Sequence, residues 1–264
     1  MVNLLAKEYS PCYYRKMDYW QLLILFGVGS IAGFINVNAG GGSSLTLPTL
    51  IFMGLDGAMA NGTNRIAIII QNISAIASFR KNNMFQFKKS SQLAILTLPG
   101  AIIGSLLAVT VSSALFQRIL GVVLILIVFS IFLSRSYKNK RTGQESHRNW
   151  FIYPALFGIG FYGGFLQIGV GFLFMAALYH LLKLDLVLVN MHKVFIIFIY
   201  TIPALLIFMI TGNVNWKLGL ALAAGNAFGA WWGAQAAVKG GEKIIRIILA
   251  VAITIMAFKL FGLY

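Results

Sequence analysis

The sequence predicts an all-α polytopic membrane protein built from two homologous repeats, each of about five helical segments, with eight long segments and two short ones in all. Three observations predict it: a charge-poor apolar composition, apolar stretches of membrane-crossing length, and a self-similarity at one fixed offset. Only 10% of the 264 residues are charged and 59% are hydrophobic, against roughly 25% charged in a soluble domain. Mean hydropathy is +0.84, which suits a helix bundle solvated by lipid.

A crossing helix needs ~20 mostly apolar residues, because each residue rises ~1.5 Å against a ~30 Å hydrocarbon core. Residues 1–18 form a polar N-terminal tail with Lys7, Glu8, Arg15, Lys16 and Asp18, and they lack the apolar core of a signal peptide. The first apolar segment is therefore expected to be retained. Long apolar segments follow at 19–36, 58–79, 90–110 and 114–134, then at 150–168, 186–211, 217–238 and 244–263. Shorter ones at 43–55 and 172–182 each follow the first segment of a half across a glycine-rich break. This divides the chain into repeat 1 at 19–134, a basic cytoplasmic linker at 135–149, and repeat 2 at 150–264.

The repeat appears when the sequence is shifted by 129 residues without a gap. Gly40 then falls on Gly169, Gly42 on Gly171, Asp56 on Asp185, Asn61 on Asn190, Lys88 on Lys217 and Gly100 on Gly229. Rare Asp, Asn and Lys at one offset argue for duplication. Charge is swapped between matched loops: 80–89 carries four basic residues where 209–218 carries Lys217, and 110–118 carries Arg118 where 239–247 carries Lys239, Lys243 and Arg246. Such a swap favours inverted halves. With the short segments counted as crossings, each half crosses five times and both termini lie outside the cytoplasm. The alternative is eight crossings, the short segments re-entrant and both termini inside.

The net charge of +15 sits in short runs between apolar stretches, which reads as cytoplasmic loops and not as a nucleic-acid surface. The single cysteine, Cys12, allows no intrachain disulfide and no Cys-based metal site.

Two groups of polar residues are candidates for a substrate site. The first is Asn38, Gly40, Gly41, Gly42, Ser43 and Ser44, with Gln167, Gly169 and Gly171 at matched positions. Consecutive glycines are poor helix formers, and Ser43 or Ser44 can cap the segment that follows. A helix that restarts inside the membrane presents backbone N–H groups suited to an anion. The second is the stripe Asn61, Asn64, Arg65 and Asn72 at helical spacing, matched in part by Asn190, Lys193 and Thr201. A buried basic residue costs about 2.5–3.5 kcal/mol on insertion scales and faces a bundle interior or cavity, where it attracts an anion.

Glycines 40–42, then Pro48, Leu50, Gly54, Asp56, Ala60 and Thr63, with Gly100 and Gly104, resemble the TauE/SafE sulfite-exporter family over roughly residues 19–263. The resemblance implies a multi-pass permease of the cell (inner) membrane for sulfite, organosulfonates or related small anions. This chain departs from the family's second-half pattern with Gly169-Val170-Gly171, with Ala177 in place of a proline and with His192 opposite Thr63.

Other features read as structural. Asp56 and Asp185 precede long helices and are expected to cap them. Gly225, Gly229, Gly233 and Ala237 form a small-residue ladder suited to helix packing, and Trp231 and Trp232 sit in the same stretch. Hydrolase, phosphate-loop and metalloprotease motifs are absent, so neither enzyme activity nor a cofactor or metal is expected. The expected partners are membrane lipid and a small anionic substrate. The reading is a secondary transporter working by alternating access between the repeats, with an anion channel or a non-transporting membrane subunit as alternatives.

Overall fold

The computed structural model describes residues 19–120, 122–123 and 150–260. The polar tail with Cys12, the linker at 135–149 and most of the 114–134 stretch lie outside the described residues. The helices are α1 (Tyr19–Asn38), α2 (Ser43–Phe52), α3 (Gly57–Lys81) and α4 (Phe87–Thr110), then α5 (Ile152–Phe165), α6 (Val170–Leu181), α7 (Leu186–Ile210) and α8 (Trp216–Leu260). Residues 113–120 are also helical, and α8 breaks at Gly241, whose φ of 57° and ψ of −157° interrupt it. No strand occurs among the described residues.

The starts of α3 and α7, the starts of α4 and α8, and the turn geometry recur at the offset of 129 seen in the sequence. α3 and α7 are both 25 residues long, and each begins 129 residues from the other. Positive φ recurs at Gly40 and Gly169, at Gly54 and Lys183, and at Asn83 and Gly212. Asp56 caps α3 by accepting from the Met59 N–H at 2.9 Å. Asp185 caps α7 by accepting from Val187 and Leu188, both at 2.9 Å.

Contacts fix the directions of the helices. The Thr63 hydroxyl accepts from the Asn215 N–H at 2.9 Å, and the Ser74 and Ser78 hydroxyls donate to Ala227 O and Trp231 O. α3 and α8 therefore run parallel. Phe208, near the end of α7, packs on Gly62 and Arg65 near the start of α3. Ser90, at the start of α4, meets His192 near the start of α7 at 2.8 Å, so α3 and α7 run antiparallel. The loops at 82–86 and 211–215 consequently lie at opposite ends of the bundle.

The short helices turn back instead of continuing across. A Cβ on Gly42 would lie 2.1 Å from Ala32 O, and the Gly42 N–H donates to Asn36 Oδ1 at 3.3 Å. α2 thus returns along α1, and Leu47 and Leu50 join Leu25, Leu55 and Leu218 in one apolar cluster at the end where α1 begins. At the opposite end Phe174, Met175 and Leu178 of α6 join Ile152, Leu186 and Leu93. Each half therefore opens with a helical hairpin inserted from its own end, the two hairpins pointing at each other. This differs from the expectation that the short segments cross: ten residues rise only ~15 Å, half of a hydrocarbon core. α5 is likewise 14 residues, because the chain breaks at Leu166 before the 150–168 stretch is used up.

The outside of the bundle suits lipid. Tyr19, Trp20, Phe52 and Trp216 are exposed at the first end, and Phe87, Trp150 and Phe151 at the second, forming aromatic girdles at both interfaces. Ile31, Ile95 and Leu206 are exposed between them. Exposed, described basic residues divide unequally: Arg80, Lys81, Lys88, Lys183, Lys239 and Lys243 lie at the second end, and Arg118 and Lys217 at the first.

Candidate functional site

The two hairpin tips meet near the middle of the bundle. A Cβ on Gly40 would lie 2.3 Å from Gly171 C, and one on Gly171 would lie 2.2 Å from the Gly40 Cα. Only hydrogen fits at either position, and the φ of 84° at Gly40 independently favours glycine. The glycines of the sequence motif thus serve a backbone-to-backbone crossing.

Close packing between halves holds the tips there. A Cβ on Gly33 would lie 2.3 Å from Asn226 O, and one on Gly160 would lie 2.3 Å from Thr97 O. Gly229 approaches Ser30 O as Gly100 approaches Phe157 O. α1 therefore packs on α8, and α5 on α4, in matching fashion. The helices α1 and α5 correspond at an offset of 127, whereas the turn glycines correspond at 129. The second hairpin carries two more residues before its turn glycine, and it accommodates them with Gln167 at a φ of 65°.

Both candidate cations lie at these tips. Arg65 is 0% exposed. Its Nη1 donates to Gln167 Oε1 at 3.3 Å, and its Nη2 donates to Gly163 O at 3.3 Å and to Gly164 O. The guanidinium carbon also stands 4.8 Å from the Phe208 ring centre, a cation–π distance. Lys193, also 0% exposed, donates from Nζ to Val37 O at 2.7 Å and to Asn190 Oδ1 at 2.8 Å. Val37 and Gly164 are equivalent at the offset of 127. Each half's third helix thus supplies a cation to the carbonyl end of the other half's first helix, where the helix dipole favours positive charge.

The remaining predicted residues surround these two clasps. Asn61 donates to Phe165 O at 2.7 Å, and Thr46 donates to Asn64 Oδ1 at 2.8 Å. Asn38 donates to Phe34 O at 3.0 Å and to Gly233 O at 3.1 Å. Ser43 and Ser44 are buried, but neither caps α2: its N-cap residue is Gly42, with no side-chain cap bond, and the Ser44 hydroxyl donates back to Gly41 O at 2.6 Å. The expected serine cap fails because the chain enters the helix at Gly42 in an already helical conformation. Buried donors at Asn64 Nδ2, Arg65 Nε and Asn190 Nδ2 have no protein partner.

Sequence reading missed Gln71 and Asn226 on α3 and α8, and the Tyr200 hydroxyl. Gln71 Oε1 accepts from Asn36 at 3.1 Å and from Asn226 at 3.2 Å, and Tyr200 donates to Gln167 Oε1 at 3.1 Å. The signal was an isolated amide or phenol in an apolar run, with nothing in the spacing to say which lone polar groups converge. Trp232 is exposed on an apolar outer groove of about 500 Å³ between α1 and α8, lined also by Ile31, Phe34 and Phe228. Its lining carries no charged residue. Trp231 instead receives Lys81, whose Nζ stands 5.7 Å from the ring centre.

Residues 25–260 match the family described as sulfite exporter TauE/SafE. The chain belongs to that family. It is 30% identical over 248 residues to a "Probable membrane transporter protein ORF9" of Sinorhizobium, covering 93% of this chain and 94% of that one. It is also 30% identical to a "Probable membrane transporter protein" of Haemophilus influenzae, covering 90% and 94%. A third relative, YfcA of Escherichia coli, is 28% identical over 90% of this chain and 88% of its own. No solved structure matches. The TauE/SafE chain is a membrane transporter, and its apolar exterior suits a membrane.

Proposed function

We propose that this transporter is a secondary permease for a small anion such as sulfite, an organosulfonate or a related sulfur compound. Its two repeats alternate access across the cell (inner) membrane. One observation carries the reading: Arg65 and Lys193 are fully buried, and neither has a carboxylate among its partners. Asp56 and Asp185, the acidic residues whose side chains are described, are both spent on helix caps. Carbonyl oxygens offer only partial negative charge, so two buried cations leave the centre electropositive in a low dielectric. A negatively charged solute supplies the missing charge, and the free donors on Asn64, Arg65 and Asn190 suit oxyanion oxygens.

The recurrence of helix boundaries and the antiparallel α3 and α7 support an inverted duplication. The basic second end then faces the cytoplasm, which places the start of α1 outside. Cysteines introduced in the 80–89 and 209–218 loops are expected to react from opposite sides of the membrane. Reaction from the same side would remove the inversion.

In proteoliposomes the expected result is saturable sulfite or sulfonate flux that Arg65→Gln abolishes while the amount of inserted protein is unchanged. Retained flux in that variant would remove Arg65 from the mechanism. Unsaturable, very fast flux would mark a channel instead.

A further inference from the structure

The protein contains two re-entrant hairpins whose tips cross at Gly40 and Gly171. Each tip is tied by hydrogen bonds to a cation on the opposite half. Lys193 on α7 holds Val37 O at the first tip, and Arg65 on α3 holds Gly163 O and Gly164 O at the second. Behind the tips, α1 and α5 pack backbone against backbone, with Gly33 on Asn226 and Gly160 on Thr97, while Gly163 at the second tip packs on the Tyr200 ring. Each tip also has one amide bond across the halves, from Asn38 to Gly233 O at the first and from Asn61 to Phe165 O at the second, and the cation–carbonyl bonds are the charged ties among them. Ala39 and Ile168, in the two turns, are both 0% exposed, so both tips are shut in this conformation.

We infer that the two hairpin tips are separate gates, each latched by the cation of the other half: Lys193 latches the gate of α1 and α2, and Arg65 latches the gate of α5 and α6. The reciprocity follows from the geometry. A latch on the same half would move with its own hairpin and restrain nothing, whereas a latch on the other half couples the two. The first hairpin enters from the end where α1 begins, and freeing its tip opens the centre toward that end. Freeing the second opens it toward the basic end. The latches differ in form, because the guanidinium forks onto two carbonyls and an amide of the second hairpin while the ammonium donates to one carbonyl of the first and to Asn190 on its own helix. This inference rests on the hydrogen bonds at the tips and does not depend on which solute is carried.

The test uses the full-length protein with Cys12→Ser in proteoliposomes, without any substrate, and a membrane-impermeant maleimide added to one side at a time. Ala39→Cys reports the first tip and Ile168→Cys the second. Both are expected to be protected in the parent. Lys193→Met is expected to raise the labelling rate of Ala39→Cys at least tenfold from the first end only, leaving Ile168→Cys protected. Arg65→Met is expected to do the reverse from the basic end, and Lys193→Arg to keep Ala39→Cys protected. Equal exposure of both tips by either variant, or exposure of neither, would overturn the inference. Where a methionine variant does not fold, Lys193→Gln and Arg65→Gln remove the same two charges with a polar side chain kept, and must give the same reciprocal pattern. Since no anion is present, loss of this pattern and loss of sulfite flux are separate results.

Discussion

The two hairpins share one design and differ in how they are closed. The first pairs a 20-residue α1 with a 10-residue α2, turns at Gly40, and is tied by one lysine to one carbonyl. The second pairs 14 residues with 12, turns through Gln167 and Gly169 at positive φ, and is tied by an arginine to two carbonyls and the Gln167 amide. The two hairpins follow a similar backbone path while the side chains that close them differ. A non-glycine residue in the left-handed region costs about 1–2 kcal/mol, and Gln167 occupies it where its amide can accept from both Arg65 and Tyr200.

The largest effect that separates the hairpins is expected at their crossing. Gly40→Ala adds a Cβ 2.3 Å from Gly171 C and also meets the strain of a φ of 84°, so a loss of about 3 kcal/mol or more is expected. Gly171→Ala meets a Cβ distance of 2.2 Å to Gly40 Cα without a positive φ, so a smaller loss of about 1–3 kcal/mol is expected. Thermal melting in detergent checks the order, and equal melting temperatures would mean that the strained turn contributes nothing. The smallest effect lies at the caps that follow each hairpin. Asp185 accepts two backbone N–H groups and Asp56 one. Asp185→Ala is expected to cost about 1 kcal/mol and Asp56→Ala less, read from the same melts. A larger loss at Asp56 would make the first hairpin's anchorage the more important one.

Much of the fold was legible because its signals are one-dimensional. Membrane-length apolar runs, the Asp residues ahead of α3 and α7, and the basic residues of the 80–89 loop act through hydropathy, capping and charge, all of which depend on local sequence. The candidate site was legible in part. The stripe of Asn61, Asn64 and Arg65 is buried, as a polar face within lipid must be, and Lys193 was visible for the same reason. The serine cap on α2 was misread because residue type alone does not say where the chain enters a helix. Whether α2 crosses or returns along α1 was left open between two readings, since a crossing half-helix and a re-entrant one have the same composition.

The sequence by itself determined that this chain is a membrane protein and that two basic residues lie within its apolar helices, and it showed matched residues at an offset of 129. Only the tertiary structure decided where those cations point, with each on the carbonyl end of the other half's broken helix. The physical reason is that hydropathy and helix capping act within a few residues. A hydrogen bond between Lys193 and Val37 spans 156 positions, and it exists only because glycines let two backbones meet at the centre.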